Sequence, residues 1–497
     1  MLNISGLFDR DSVVSSFLKN SGYMLLATVL VKGSGFVYRA ITARRLGTTQ
    51  YGHLSLGLML ISMGSIVALA GLHSTVRRYL PEYVSEGKEA KIKGILLSLF
   101  CIIGAVSAIS VAILWVNAEF VASSIFGDRS LVDLVRVFAL GIPFAAALQF
   151  SQKALLGLQK YKGNAIVRIL GRGGVLNVIV AAIALFLGAS VFVVSVIYIL
   201  SIAVAFLIAA VTIAYSVKDR VNTTAPKYDF NRWFKFGIPL LFSSSVGLVL
   251  SWSDTFMIGL LQSSADVGKY NTAYPFSMLL TSLIPIFGSV FVPRGSELLS
   301  QDRQREVAQL FETIRYTIFL FVAPGVLFIL FNSEHLLLVV FGPEYTSVSD
   351  VFIIISVANF AVCVTGPTTA LLQVFEQSNE LLRTNVLGAT VNIILNIILI
   401  PRYGLPGAAM AYGFSVALIS YLLYWQGVRR CGSSDFSQTY FQPLLIAILW
   451  VYSASILMEA YEPQLALTVL IGFTTLVGYF GLLSALDIVD FDPLLEI

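Results

Sequence analysis

Apolar residues run along this chain in blocks of about twenty, separated by short clusters of charge, and a helix of that length matches the hydrocarbon thickness of a bilayer. The pattern predicts helices over 20–43, 52–73, 94–116, 134–158, 165–187, 191–216, 236–260, 270–292, 313–331, 350–373, 383–400, 405–426, 441–459 and 465–486. The blocks are continuous rather than alternating, which excludes a membrane β-barrel. The stretch 383–426 is divided at Pro401-Arg402-Tyr403-Gly404. The longest connections, 74–93, 217–235 and 293–312, are too short to form domains of their own. The expected fold is an all-α polytopic membrane protein of about 14 transmembrane helices.

Composition narrows the class. Hydrophobic residues make up 57% of the 497 and charged residues only 12%, with a mean hydropathy of +0.84. A soluble, secreted or disordered chain is excluded, because it could not cover so much apolar surface. The net charge of +4 is too small to argue for a nucleic-acid partner, and none is expected. Cys101, Cys363 and Cys431 lack metal or redox spacing, and two of them read as small hydrophobes. His53, His73 and His335 are too scattered for a zinc site. Asp9, Arg10 and Asp11 precede the first apolar run, so the first helix is expected to be retained rather than cleaved as a signal peptide.

The distribution of charge orients the chain. Lys and Arg fall on one set of loops over the other by about four to one. No Lys or Arg occurs from Asn332 to Asp350. Both termini are therefore expected in the cytoplasm, in the cell (plasma or inner) membrane.

A faint internal repeat organises the spans. Arg39 to Gly52, which ends helix 1 and enters helix 2, corresponds to Asp254 to Gly268 at helices 7 and 8. Leu170-Gly171 corresponds to Leu387-Gly388 at nearly the same offset. An offset of six helices preserves orientation, so the halves are expected to be parallel repeats. The expected organisation is an N-terminal lobe over 1–216, a C-terminal lobe over 217–430, and two further helices with a tail over 431–497.

Ionisable residues inside spans are costly and usually face a cavity or a partner. Lys32 sits near the middle of helix 1, and Arg39 follows at i+7 on the same face, with Gly33, Ser34 and Gly35 between them. This reads either as a cationic strip for phosphate or acidic sugar, or as a snorkelling or ion-paired structural feature. Arg168 and Arg172 share one face of helix 5 near its cytoplasmic end. They suit a phosphate gate, since Arg grips phosphate bidentately, and they suit lipid headgroups equally well. Asp254 is the only acidic residue well inside a span, and the repeat sets it opposite Arg39. It could pair with Arg39 as a gate, couple transport to an ion, or be a buried hydrogen-bonded carboxylate. Asn392 and Asn396, at i and i+4, read as interhelical glue. Pro143, Pro239, Pro275, Pro285, Pro324 and Pro367 mark kinks. There is no P-loop for ATP and no catalytic triad or His–Glu–His set, so neither an enzyme nor a cofactor is expected.

Three segments carry a resemblance. They are Leu46-Gly47-Thr48-Thr49-Gln50-Tyr51-Gly52 with the later Arg77-Arg78-Tyr79-Leu80-Pro81-Glu82-Tyr83, then Asp254-Thr255-Phe256-Met257-Ile258-Gly259 with Val267-Gly268-Lys269-Tyr270, and then Asn392 to Ala408. Over roughly residues 15–430 the chain resembles the polysaccharide-transporter flippases (Wzx-like), within the MATE/flippase superfamily. The resemblance implies export of a lipid-linked oligosaccharide by alternating access between two six-helix lobes. Its implied partners are that substrate, membrane lipids and glycan-assembly enzymes. A multidrug/cation antiporter of the same superfamily, a peptidoglycan-precursor flippase and a membrane glycan polymerase are the alternatives.

Overall fold

The computed structural model describes residues 10–171, 174–221, 225–432, 440–461 and 464–486. Among the described residues the regular structure is entirely helical. The chain belongs to the multi-pass all-α class that its apolar blocks predict. Among the described residues, ten helices are long and apolar enough to cross a membrane, or eleven if Ser264–Ser277 and Leu280–Ser300, bent by 43°, count as one span.

The expected count of fourteen is not established by these lengths, and two long helices account for much of the difference. Helix α1 (Arg10–Leu69) and helix α15 (Ser378–Cys431) each run through two of the predicted spans. Each breaks at a glycine, Gly47 at φ 75° and Gly404 at φ 60°. A side chain with a Cβ adopts that left-handed region only with strain, whereas glycine does not.

The chain forms two compact units. The first is Met1–Leu248 together with Ser263–Ala265, and the second is Val249–Gln262 together with Asp266–Ile497.

In the first unit, α5 (Val132–Gly157) lies against α1, α2 (Leu72–Ser85), α3 (Glu89–Val116) and α8 (Val191–Val221). Ile142, Ala146, Phe150 and Ala154 of α5 meet Leu72, Val76, Leu80 and Tyr83 of α2 and Ile92, Ile95 and Leu99 of α3 in one core. Small residues let the elements approach closely. A Cβ added at Gly71 would stand 2.2 Å from the Gly237 carbonyl oxygen. The segment after α8 docks on the same core. Lys227 donates its N–H to the Ala90 carbonyl (2.8 Å), Trp233 at the start of α9 (Phe230–Leu261) donates to the Tyr83 hydroxyl (3.1 Å), and Arg232 pairs with Glu82 (2.9 Å).

In the second unit, α12 (Gln304–Val340), α13 (Ser349–Thr365) and α15 form the centre. Phe291, Phe311, Ile314, Ile318, Val322, Cys363 and Leu371 fill it. Helices α16 (Phe441–Tyr461) and α17 (Leu465–Ala485) join the outside of α12 through Phe319, Leu320, Ala323, Tyr440, Ala447 and Tyr479. The surface left over is apolar. Ile109, Ile113 and Leu207 in the first unit, and Leu449, Val469 and Phe473 in the second, are more than half exposed. Such a surface belongs in lipid.

Candidate functional site: two polar clusters within the helical units

The first unit gathers cations without gathering carboxylates. Lys153 stands one turn from the end of α5, half-buried, and both Arg77 of α2 and Arg168 of α6 (Tyr161–Leu170) act on it repulsively. Among the described residues, none of these three pairs with an acidic side chain. Other cations of the protein do find one, as in Arg232–Glu82, Arg129–Glu119 and Arg430–Glu380. One turn along α5 from Lys153, Gln149 donates to the Ser65 hydroxyl (3.0 Å). His73 stands in α2, beyond the end of the α1 span at Leu69. Burial, and then the Lys153 ammonium, push its imidazole down to about 4, so it stays neutral at neutral pH. Three like charges without counterions form a site that an anion would stabilise.

Of the sequence-predicted residues, Arg168 belongs to this cluster, and Arg172 lies outside the described residues. Lys32 and Arg39 sit farther back along α1. Lys32 is exposed, and a Cβ at neighbouring Gly33 would meet open space. Arg39 is half-buried and hydrogen-bonds the buried Tyr51 hydroxyl. Tyr38 beside it is buried and meets Tyr198 of α8 at 5.9 Å between ring centroids. The strip between Lys32 and Arg39 is thus flanked by tyrosines and small residues.

Sequence reasoning missed Lys153, Arg77 and His73, since Lys153 and Arg77 read as loop charges. A lysine within the last two turns of an apolar helix, with Gln149 at i−4, was the available signal.

The second unit holds one carboxylate inside a complete set of donors. Asp254 of α9 is 4% exposed. Its Oδ1 accepts from Asn396 Nδ2 (2.8 Å) and Asn392 Nδ2 (3.1 Å) of α15, and its Oδ2 accepts from the Tyr270 hydroxyl (3.0 Å) of α10 (Ser264–Ser277). Asn396 Nδ2 also donates to Asn392 Oδ1 (3.2 Å), which accepts from Ser253 as well. The asparagines expected as interhelical glue are joined to α9 through this acid. Asn396 Oδ1 is buried and has no hydrogen-bond partner. Beyond Tyr270 the polar path continues, with Tyr270 stacked on Tyr274 (6.0 Å), Tyr274 edge-on to Tyr412 (5.2 Å), and the Tyr412 hydroxyl donating to Asn359 (2.9 Å).

Residues 17–301 match the family described as polysaccharide biosynthesis protein. The chain belongs to that family. Residues 239–398 also match the MatE family. A curated relative, described as the probable low-salt glycan biosynthesis flippase Agl15 of Haloferax volcanii, is 27% identical over 94% of this chain and 92% of its own length. The stage V sporulation protein B of Bacillus subtilis is 22% identical over 82% of each chain. Among solved structures, a lipid II flippase MurJ in an inward closed conformation superposes with a TM-score of 0.72 at 13% identity, covering 93% of this chain and 99% of that one. An inward-facing multidrug-resistance MATE transporter reaches 0.68 at 14% identity, covering 82% and 98%. At these identities the structural likeness establishes the fold this family member shares.

Proposed function

We propose that this member of the polysaccharide biosynthesis family is a flippase. It translocates a lipid-linked oligosaccharide, carried on a polyprenyl phosphate or pyrophosphate, from the cytoplasmic to the outer leaflet by alternating access. The observation that carries the reading is the set of Arg77, Lys153 and Arg168 in the first unit, with Lys153 and Arg168 half-buried, Arg77 exposed, and no acidic partner for any of them among the described residues. A phosphate group is the anion that such a substrate brings, and desolvated cations attract it far more strongly than hydrated ones. The curated flippase relative, aligned over nearly the full length of both chains, supports the same reading.

In this reading the protein is a transporter and not an enzyme. It lies in the cell membrane with both termini cytoplasmic, takes its substrate from glycan-assembly enzymes, and needs no cofactor. Lys32, Arg39, Arg168 and Arg172 are the residues proposed to bind the substrate. With no ATP motif in the chain, coupling falls to Asp254, whose buried carboxylate can exchange a proton or a small cation with the membrane gradient. An Arg39–Asp254 pair that forms in one state of the cycle would gate it. The charge swap Arg39→Asp with Asp254→Arg should then restore what each single change loses, and a swap that stays inactive while both single variants work discards the gate.

The direct test is reconstitution in liposomes with a fluorescent lipid-linked oligosaccharide, reading its exposure on the far leaflet. Flipping that is lost in Lys153→Glu and Arg168→Glu at normal protein levels supports the reading. A protein that leaves this lipid in place but exchanges cationic dyes for protons is instead an antiporter of the same fold.

A further inference from the structure

Beside the three cations of the first unit stand two uncharged polar side chains that the fold leaves partly unused. Helix α2 packs closely on α5: a Cβ at Gly157 would lie 3.1 Å from Leu80 and 3.4 Å from the Val76 carbonyl oxygen. One turn back along α5 from Gly157 is Lys153, and one turn back again is Gln149. On α2, His73 and Arg77 stand at i and i+4 and share a face. Both sense the Lys153 ammonium.

Gln149 is tied down by one end only. Its Nε2 donates to the Ser65 hydroxyl (3.0 Å) and the Ala145 carbonyl (3.3 Å). The Ser65 hydroxyl is wholly buried and donates onward to the Ser62 carbonyl (3.0 Å). Both contacts of the amide are thus acceptors, which fixes the orientation of the amide. Its Oε1 accepts no hydrogen bond among the described residues and is not sealed in the core. His73 is half-buried, and its Nδ1 is buried without a hydrogen-bond partner among the described residues. A buried acceptor is left unpaired more readily than a buried N–H, so the proton belongs on Nε2, the nitrogen through which the ring can bond. The ring is neutral and adds no fourth like charge.

An unused acceptor and an unused donor therefore stand beside a lysine that has no acidic partner among the described residues. Gln149 is one helical turn from Lys153, about 5.4 Å, the scale of a single pyranose ring attached to a phosphate. A sugar hydroxyl is both donor and acceptor, and suits both groups.

We propose that Gln149 and His73 form a hydroxyl-reading subsite for the sugar joined directly to the phosphate, while Lys153, Arg77 and Arg168 hold the phosphate itself. The inference rests on the flippase reading and deepens it. A site built to bond a hydroxyl rejects a ligand that lacks one, because its own polar groups are then left unpaired. The subsite therefore favours the loaded lipid carrier over the bare lipid phosphate, and it reads the first sugar rather than the rest of the glycan.

The test titrates the thermal midpoint of the detergent-solubilised protein with inorganic phosphate and with the 1-phosphates of glucose, galactose, mannose and N-acetylglucosamine. At least one sugar phosphate should act at a concentration about tenfold lower than inorganic phosphate, the gain expected from two neutral hydrogen bonds. Gln149→Leu and His73→Phe should each erode that advantage and leave the response to inorganic phosphate within about twofold. Lys153→Met should weaken both ligands together. Sugar phosphates that act no better than inorganic phosphate overturn the subsite even if the flippase reading stands. So does an advantage that survives in both variants, and so does a variant that weakens the two ligands alike, since that is the mark of a structural role. If the unaltered protein responds to none of these ligands, its cations hold no phosphate, and the flippase reading fails together with the subsite.

Discussion

The two units treat charge in opposite ways. The second surrounds its buried ionisable groups. Asp254 receives three donors, and Arg315 of α12, wholly buried, reaches Glu312 at 2.5 Å, donates to the Tyr424 hydroxyl at 2.8 Å, and faces the Tyr424 and Tyr440 rings at 5.2 and 5.4 Å. The first unit leaves the half-buried Lys153 to be repelled by the half-buried Arg168 and the exposed Arg77, with no acidic partner for the three among the described residues. Burying a charge costs free energy in either place. Where the protein supplies the partner, the charge is structural or is coupled to something as small as a proton. Where it supplies none, the proposed anionic substrate would bring the missing partner.

This contrast is broken most severely at Arg315. Removing one member of a buried pair strands the other, at about 3–5 kcal/mol. Glu312→Ala should therefore lower the detergent-solubilised protein's thermal midpoint more than any other single change discussed here. The double replacement Arg315→Leu with Glu312→Leu should recover most of the loss, because neither charge is then left stranded. A double variant no better than Glu312→Ala would mean that the tyrosine contacts of Arg315, rather than its ion pair, hold α12 to α15 and α16.

In the first unit the same logic predicts the reverse sign for stability. Lys153→Met removes a charge that its neighbours repel, so folding should be unchanged or slightly improved. Transport should nevertheless fall about 10- to 100-fold, the loss of one desolvated charge contact to a phosphate. Flipping rate and thermal midpoint measured on one preparation separate the two effects. A variant that loses both together would class Lys153 as structural.

Much of this contrast could not be read from sequence, for identifiable reasons. The spans were legible because bilayer thickness imposes a length on every apolar block, and the i, i+4 spacing put Asn392 and Asn396 on one face. Arg315 falls at the edge of the apolar block over 313–331, but it lies well inside a helix that starts at Gln304. Its partner Glu312 lies one turn away, but Tyr424 and Tyr440 come from more than a hundred residues downstream. Asp254 stood out as the lone acid in a span, whereas its partners required knowing which helices touch. Lys153 was counted with the loops, although it is still helical and half-buried. Charge type and periodicity are local properties, and whether a charge is satisfied is a tertiary one.

A smaller change sharpens the second unit's side of the comparison. Asn396→Ala removes one of the two asparagine donors on Asp254 and one link between α9 and α15. The expected loss is about 1–2 kcal/mol, typical of a hydrogen bond to a charged acceptor, read as a lowered thermal midpoint. Asn392→Ala added to it should cost more than the sum of the single changes, because Asp254 Oδ1 then has neither amide. Strict additivity would mean that the two asparagines act independently of the acid.

The smallest effect comes from the exception within the first unit, the satisfied carboxylate of Asp128. Partial burial works against its ionisation, but the hydrogen bonds from Ser130, His53 and Ser264 outweigh burial and hold it down to about 2, below the ordinary value of 3.8. A carboxyl depressed in the folded state contributes stability above its unfolded pKa and loses it as pH falls through the folded one. The contribution is therefore whole at pH 6 and fades between about pH 4 and pH 2, with a size of about 1 kcal/mol once solvent screening is allowed for. Asp128→Asn should melt below the unaltered protein at pH 6, and the gap between them should narrow steadily toward pH 3. A difference flat from pH 6 to pH 3 would show that Asp128 bears no charge-dependent load in the fold.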